Sequence, residues 1–441
     1  MKDNCFNRRS AAAILRKNDL GAYTVPTHGL YPYQWSWDSA ITALGWLHVD
    51  ESRAWLEVET MFRGQWDNGM VPHILFHGDT ESYFPGPDVW GSREAIPSSA
   101  ISQPPLWATV VRILFENASD RTLATEKVTK LLPGLIAYHR WWYTERDPEN
   151  TGLVCSYHPW ESGMDNSPAW DAPLRNVPLV DWLYQRSDLS HVDPDQRPKK
   201  KEYDRYLFLV DFFKKCEFDS DYIYRHCPYK VLDIGIVSIL HRASSDLLAL
   251  CSAISNAEKT EELKSCMGQT EEAIDRLWFK NKSCFLSHDL LTAARLEEIT
   301  TATVLPLFAG LPSAEQADAM RNLLRGWIDK TAYSLSSTHP ASKLFEPKRY
   351  WRGPVWLHIN WMIAEGLTAY DMPELAEELK NSSRRCLRDA GFWEYFDAEG
   401  GNGCGGEDFS WTAAIALHWL GDQDGPSDAD RPEDGRKCRK K

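Results

Sequence analysis

The segment HPWESGMDNSPAWD (residues 158–171) sets carboxyl groups among aromatic rings. Gly163 permits a sharp turn, and Ser167-Pro168 has the form of a helix start, which leaves Asp165 on the loop just before it. A carboxyl held between Trp160, Met164 and Trp170 loses hydration, so its pKa should rise toward that of a proton donor. Glu161 and Asp171 are rivals that spacing alone does not separate from Asp165, and a plain turn acid is the simpler reading of any one of them. A second set lies in GFWEYFDAEGGNGCGGEDFSWTAA (391–414), where Glu394 sits between Trp393 and Tyr395. Asp397, Glu399 and Glu407 compete with it, and an acidic glycine-rich loop can equally serve as a solvated turn or hold a cation. Two separated carboxylates with aromatic surfaces suit the hydrolysis of a glycosidic bond: one acid protonates the leaving oxygen, the other activates water or attacks carbon across the sugar.

Sugar rings present C–H faces that stack on Trp and Tyr, and the chain holds 20 tryptophans. The stretch GLYPYQWSWDSAITALGW (29–46) gathers Tyr31, Tyr33, Trp35 and Trp37 ahead of a helical pattern, with Asp38 where that pattern begins. Any single Trp there could be core filling. Similar loops, however, lead into several apolar helices: ISQPP, YWRGP and EDFS precede others. Asp38 and Ser410 suit N-caps, and Pro105 and Pro354 suit the first helical position. If those helices run parallel, their starts converge and the rings line a pocket where helix N-termini favour an anion. Asp38, Gln103 and Arg197 are candidate partners for sugar hydroxyls.

The elements that must position these groups are helical. Segments beginning near residues 38, 105, 233, 299, 354 and 410 are apolar nearly all round, as buried helices are, and charged amphipathic helices alternate with them. Six inner helices ringed by outer partners predict an all-α (α/α)6 toroid formed by residues 1–420 as a single catalytic domain. An insertion at about 150–232, poor in clear helices, includes the loop YQRSDLSHVDPDQRPKKK. Residues 421–441 read as a disordered charged tail.

Composition excludes other classes. A net charge of −14 over 441 residues leaves no basic surface for nucleic acid. No long uncharged apolar run suggests a membrane span, and the polar N-terminus has no secretory pattern. The ten cysteines include no C-x-x-C pair, so reduced thiols and a cytoplasmic setting are expected. No H-E-x-x-H metal pair, G-x-S-x-G elbow or P-loop lysine is present. No metal or cofactor is expected; the partner is a small-molecule glycoside, and a homo-oligomer is left open.

Across these motifs the chain resembles the glycoside hydrolase family 63-like (α/α)6 enzymes, nearest their glucosylglycerate and mannosylglycerate hydrolases. YPYQWSWDSA, QWDNGMVPHI, YFPGP, SQPP, HPWESGMDNSP, DPDQRP with EYDRYL, YWRGPVW, FWEYF and SWTAA follow in family order from about residue 15 to 420. The resemblance implies Asp165 as general acid and Glu394 as general base of an inverting α-glycosidase, with carboxyls roughly 6.5–9.5 Å apart. It implies substrate contacts at Tyr31, Trp35, Trp37, Asp38, Tyr83, Gln103, Trp160, Gly163, Arg197, Tyr203, Tyr350, Trp351 and Trp356. Arg197 and Tyr203 would hold a glycerate carboxylate and close over it, Arg through its planar fork. The three lysines before EYDRYL depart from the family pattern, and Glu407 and Phe409 stand where its members differ among themselves; both places are where the acidic part of the substrate should lie. A neutral-oligosaccharide α-glucosidase and a non-catalytic carbohydrate-binding toroid are the competing readings.

Overall fold

The computed structural model describes residues 8–78, 83–92, 94–256 and 260–421; the tail expected at 421–441 lies, but for its first residue, outside them. Six inner elements pack in a closed ring in chain order: Ser36–Trp46, Trp107–Glu116, Ile234–Ala253, Thr301–Ala309, Leu357–Ala369 and Ser410–Leu420, the last returning to the first. The first, third and fifth are largely buried, which is why their sequences show little amphipathic contrast. Outer helices Glu51–Phe62, Arg121–Glu145, Thr260–Ala273, Ala314–Ile328 and Pro373–Ala390 each follow an inner one, and the N-terminal helix Arg8–Asn18 packs on the last. The (α/α)6 toroid predicted from the pattern is therefore the architecture. Ile234–Ala253 is long and apolar enough to cross a membrane by composition, yet 78% of that window is buried in the ring.

Three local expectations fail for identifiable reasons. The N-caps before the first and last inner helices are Trp35 and Phe409, not Asp38 and Ser410. Asp38 lies in the first turn, and the Ser410 hydroxyl donates to the Val25 carbonyl at 2.7 Å. Pro105 and Pro354 precede their helices, which begin only at Trp107 and Leu357. The fourth inner element is broken into a 3-10 turn, Thr301–Val304, and a single helical turn from Pro306, whose ring removes a backbone donor.

The insertion, expected to be poor in helices, contains the helix Lys200–Lys215. It buries Tyr203, Tyr206, Leu207, Val210 and Phe213, an i, i+3, i+4, i+7 stripe. Its lysine-rich start is helical rather than loop, and the Glu202 carboxylate accepts the Lys199 backbone N–H there. A small antiparallel sheet orders Cys155–Ser156, Val231–Leu232, His288–Asp289 and Ala294–Arg295, tying both ends of the insertion to the ring.

Two buried acids hold the site-bearing segments. Glu57 accepts from Ser39 at 2.7 Å, Gln34 at 3.2 Å, Thr24 at 2.9 Å and Arg53 at 2.8 Å, anchoring the aromatic stretch before the first helix. Glu161 pairs with Arg146 at 2.6 and 3.0 Å and accepts the Tyr157 backbone N–H at 2.8 Å. Both members of that pair are buried, so truncating one strands the other's charge. Glu161→Ala is expected to destabilise the fold by roughly 3–5 kcal/mol, measured by urea unfolding; a midpoint unchanged from wild type would contradict this role.

Candidate active site

The first, second, fifth and sixth inner elements begin around one cavity, and Asp165 and Glu394 both open onto it. Tyr31, Trp35, Trp37 and Asp38 reach it from the first aromatic stretch. Tyr83 and Gln103 come from the chain leading to the second inner helix, and Trp160 and Gly163 from the acid-bearing segment. Arg197 and Tyr203 come from the insertion, and Tyr350 and Trp351 from the loop before the fifth inner helix. Trp356 is the exception. It lies flat behind Trp351, with ring centroids 3.8 Å apart and planes 1° apart, and its ring also stacks on Tyr395 at 4.5 Å. It stiffens the wall rather than forming it.

His73, Phe84, Asp188, Pro198, Phe409 and Trp411 also line the cavity; of these, only Phe409 is singled out by the sequence pattern. His73 and His77 have an H-x-x-x-H spacing, but Ile74–Leu75 between them is a strand, and the histidines part company. His77 bonds the Gln34 side chain at 2.9 Å, while His73 stacks on Trp160. Glu407 is exposed and absent from the wall, its carbonyl taken by Thr27. Among the described residues no group of three or more His, Cys, Asp or Glu is arranged to hold a metal ion.

The loop carrying Asp165 is pinned from several sides. Tyr206 donates to the Asp165 carbonyl at 3.0 Å, Trp170 to the Met164 carbonyl at 2.9 Å, and the Trp351 backbone N–H to the Asn166 side chain at 2.9 Å. Gly163 has φ +67°, and a Cβ there would lie 2.7 Å from the Trp37 ring, so the loop can pass under that ring only as glycine. Burial is the chief cause that pushes the Asp165 carboxyl up to about 7, Glu394 adds to it, and Arg197 opposes it. The rivals are occupied elsewhere: Glu161 by Arg146, and Asp171 by Arg352 through bonds of 2.8 and 3.0 Å.

Glu394 stands on the hairpin Trp393–Phe396 and Gly403–Glu407. The glycine run in that hairpin includes a G-x-G-x-x-G spacing, but it lies on an antiparallel turn and not between a strand and a helix. Burial raises the Glu394 pKa first of all, yet several groups favour its charged form. Tyr31 donates to Oε1 at 3.0 Å, the Gly406 N–H to Oε2 at 3.0 Å, and Arg197 Nη1 stands 3.7 Å from Oε1. Asp397, by contrast, accepts the Glu399 backbone N–H at 3.0 Å as a turn acid.

Asp38 also opens onto the cavity, as does Asp188, which Arg186 and Arg197 hold. Burial, Glu394 and Asp165 all push the Asp38 pKa well up. Against these acids stands Arg197, stacked over Tyr350 at 4.3 Å and paired through Nε with Asp188 at 3.0 Å. Its Nη1 is buried and makes no hydrogen bond, only the 3.7 Å approach to Glu394. Tyr350 holds a left-handed backbone, φ 41°, an uncommon conformation that keeps its ring beside this guanidinium.

A family model described as the mannosylglycerate hydrolase MGH1-like glycoside hydrolase domain matches residues 31–412. A mannosylglycerate hydrolase from Thermus thermophilus is 48% identical over 93% of this chain and 99% of its own length. A glucosylglycerate hydrolase from Mycolicibacterium hassiacum is 33% identical, covering 93% and 97% respectively. The crystal structure of a family 63 mannosylglycerate hydrolase from Thermus thermophilus, in complex with Tris and D-glycerate, superposes with a TM-score of 0.91 at 48% identity, over 93% of this chain and 99% of that one. By the breadth of that family match and the length of those relationships, the chain belongs to the mannosylglycerate hydrolase MGH1-like glycoside hydrolases.

Proposed function

We propose that this glycoside hydrolase cleaves an α-linked glycoside of glycerate, mannosylglycerate or glucosylglycerate, with inversion, using Asp165 as acid and Glu394 as base. The observation that carries the reading is the unequal provisioning of two carboxyls on one cavity. Asp165, raised to about 7 by burial, retains a proton near neutrality, while Glu394 has Tyr31, Gly406 and Arg197 to support its anion. The Asp165 proton passes to the glycosidic oxygen as the C–O bond breaks. Glu394 takes a proton from the water that attacks the opposite face of the anomeric carbon. Sugar and glycerate leave with Asp165 ionised and Glu394 protonated, and exchange with solvent restores both.

The aromatic wall supplies stacking surfaces, and Asp38 and Gln103 supply partners for sugar hydroxyls. The Arg197 guanidinium at the cavity suits a carboxylate, which a glycerate moiety carries and a neutral disaccharide does not. That favours the anionic substrate over the oligosaccharide alternative. The relatives bearing hydrolase names for both sugars support glycerate as the shared part.

Asp165→Ala and Glu394→Ala are each expected to lower kcat by roughly 10²–10⁴-fold or more while leaving substrate binding measurable by calorimetry. Full turnover in either variant removes that residue from the chemistry. In wild type, kcat/KM should fall as pH rises through about 7, because Asp165 must keep its proton. It should also fall on the acid side, where Glu394 takes one up; a profile flat from pH 6 to 9 contradicts the acid assignment. Arg197→Ala should raise KM for glycosyl-glycerates far more than for neutral α-glycosides assayed alongside. Because Arg197 also faces Glu394, kcat should drop on both, and equal KM changes would contradict the carboxylate role.

A further inference from the structure

The register of the Glu394 hairpin shifts beside the catalytic carboxyl. Cys404 pairs with Tyr395 and Glu407 with Trp393, so Gly405 and Gly406 together oppose Glu394. That is a β-bulge, a device that re-aims groups on a strand. Gly405 has φ +75°, and a Cβ on it would lie 2.2 Å from Glu394 Oε2. The bulge therefore brings bare backbone against the carboxylate, and the next N–H, that of Gly406, bonds Oε2.

One residue of the insertion grips this bulge. The Gln196 side-chain oxygen accepts the Gly405 N–H at 2.9 Å, and its carbonyl accepts the Tyr395 hydroxyl at 2.8 Å. Gln196 thus spans both strands on either side of Glu394. Its neighbour Arg197 faces the other carboxylate oxygen, and Arg349 holds the Arg197 carbonyl at 2.8 Å. A single turn, Pro194–Arg197, governs donors to both oxygens of Glu394.

We propose that Gln196 is a positioning residue for the base: by holding the Gly405–Gly406 bulge it aims the Gly406 N–H at Glu394 and fixes the direction in which that carboxylate meets water. The inference rests on the reading of Glu394 as base. The groups facing Glu394 are Arg197 from the insertion, Tyr31 and Asp38 from the first stretch, Asp165, Tyr350, and Tyr395 and Cys404 on the hairpin. Of the surrounding hydrogen bonds, only those to Gly405 and Tyr395 involve Gln196 itself. Slackening the bulge weakens a donor that favours the anion, so the base should protonate at higher pH.

The test compares wild type, Gln196→Met and Tyr395→Phe on mannosylglycerate and glucosylglycerate across pH 4–9. Met keeps the length of Gln without its oxygen, and Phe removes only the hydroxyl bonded to the Gln196 carbonyl. Gln196→Met should lower kcat about tenfold, the scale of one hydrogen bond to a charged group, with KM changed less than about threefold. The acid limb of kcat/KM should move up by about 0.5 pH unit or more while the basic limb stays in place. Tyr395→Phe should move the acid limb the same way, and it decides the matter if Met at 196 prevents folding. Unmoved limbs with wild-type kcat, or a rise confined to KM, overturn the inference while leaving the proposed hydrolysis intact. Full activity in Glu394→Ala overturns both.

Discussion

Four carboxyls line one cavity, and only Asp188, paired with Arg186 and Arg197, is fully matched by positive charge; the other three set the terms for everything around them. Desolvation pushes Asp38, Asp165 and Glu394 toward the neutral form, and repulsion by Glu394 adds to it at Asp38 and Asp165. Coulomb interactions are strong in such a place, so small differences in hydrogen bonding decide which acid holds the proton. Glu394 receives a tyrosine hydroxyl, a backbone N–H and the nearby guanidinium. Asp165 has Arg197 as its opposing charge but no comparable set of donors. Division of labour between acid and base follows from that inequality rather than from residue type.

The ring makes the inequality possible. Asp165 and Glu394 stand on different connections and Asp38 in the first turn of an inner helix, and they meet only because inner helices start around a common opening. The parts are then fixed by contacts remote in sequence: Asn166 to Trp351, Tyr206 to the Asp165 carbonyl, Gln196 to Gly405. Behind the wall, Glu57 and the Trp351–Trp356–Tyr395 stack hold the aromatic surfaces that a sugar would meet. Such over-determined surroundings allow a left-handed Tyr350 and a bulge of two glycines to persist beside the chemistry.

Much of this was legible before the structure. The starts of the inner helices fall within a few residues of where apolar patterning placed them, because full burial leaves a strong and long signal. The candidates on the wall were legible through motifs, Asp165 and Glu394 among them. What escaped detection shares a cause. The helix Lys200–Lys215 mixes lysines with aromatics, so its stripe reads weakly without knowing what it packs on. Helix ends slipped because Asp38 and Ser410 have competing partners or roles, and tertiary contacts override capping preference. Asp188, His73 and Gln196 matter through partners that only the fold brings near, and Trp356 looks like its neighbour Trp351 until one sees which of the two rings faces inward.

The chemistry has a direct reporter in the first sugar released. Proton NMR begun within seconds of adding enzyme to α-linked mannosylglycerate or glucosylglycerate distinguishes the two anomers before they equilibrate. Water delivered by Glu394 to the face opposite the leaving glycerate must give the β-anomer first, with the α-anomer appearing only by slow mutarotation. Initial release of the α-anomer would mean that a carboxyl had bonded to carbon, and Glu394 would not be the base of an inverting reaction.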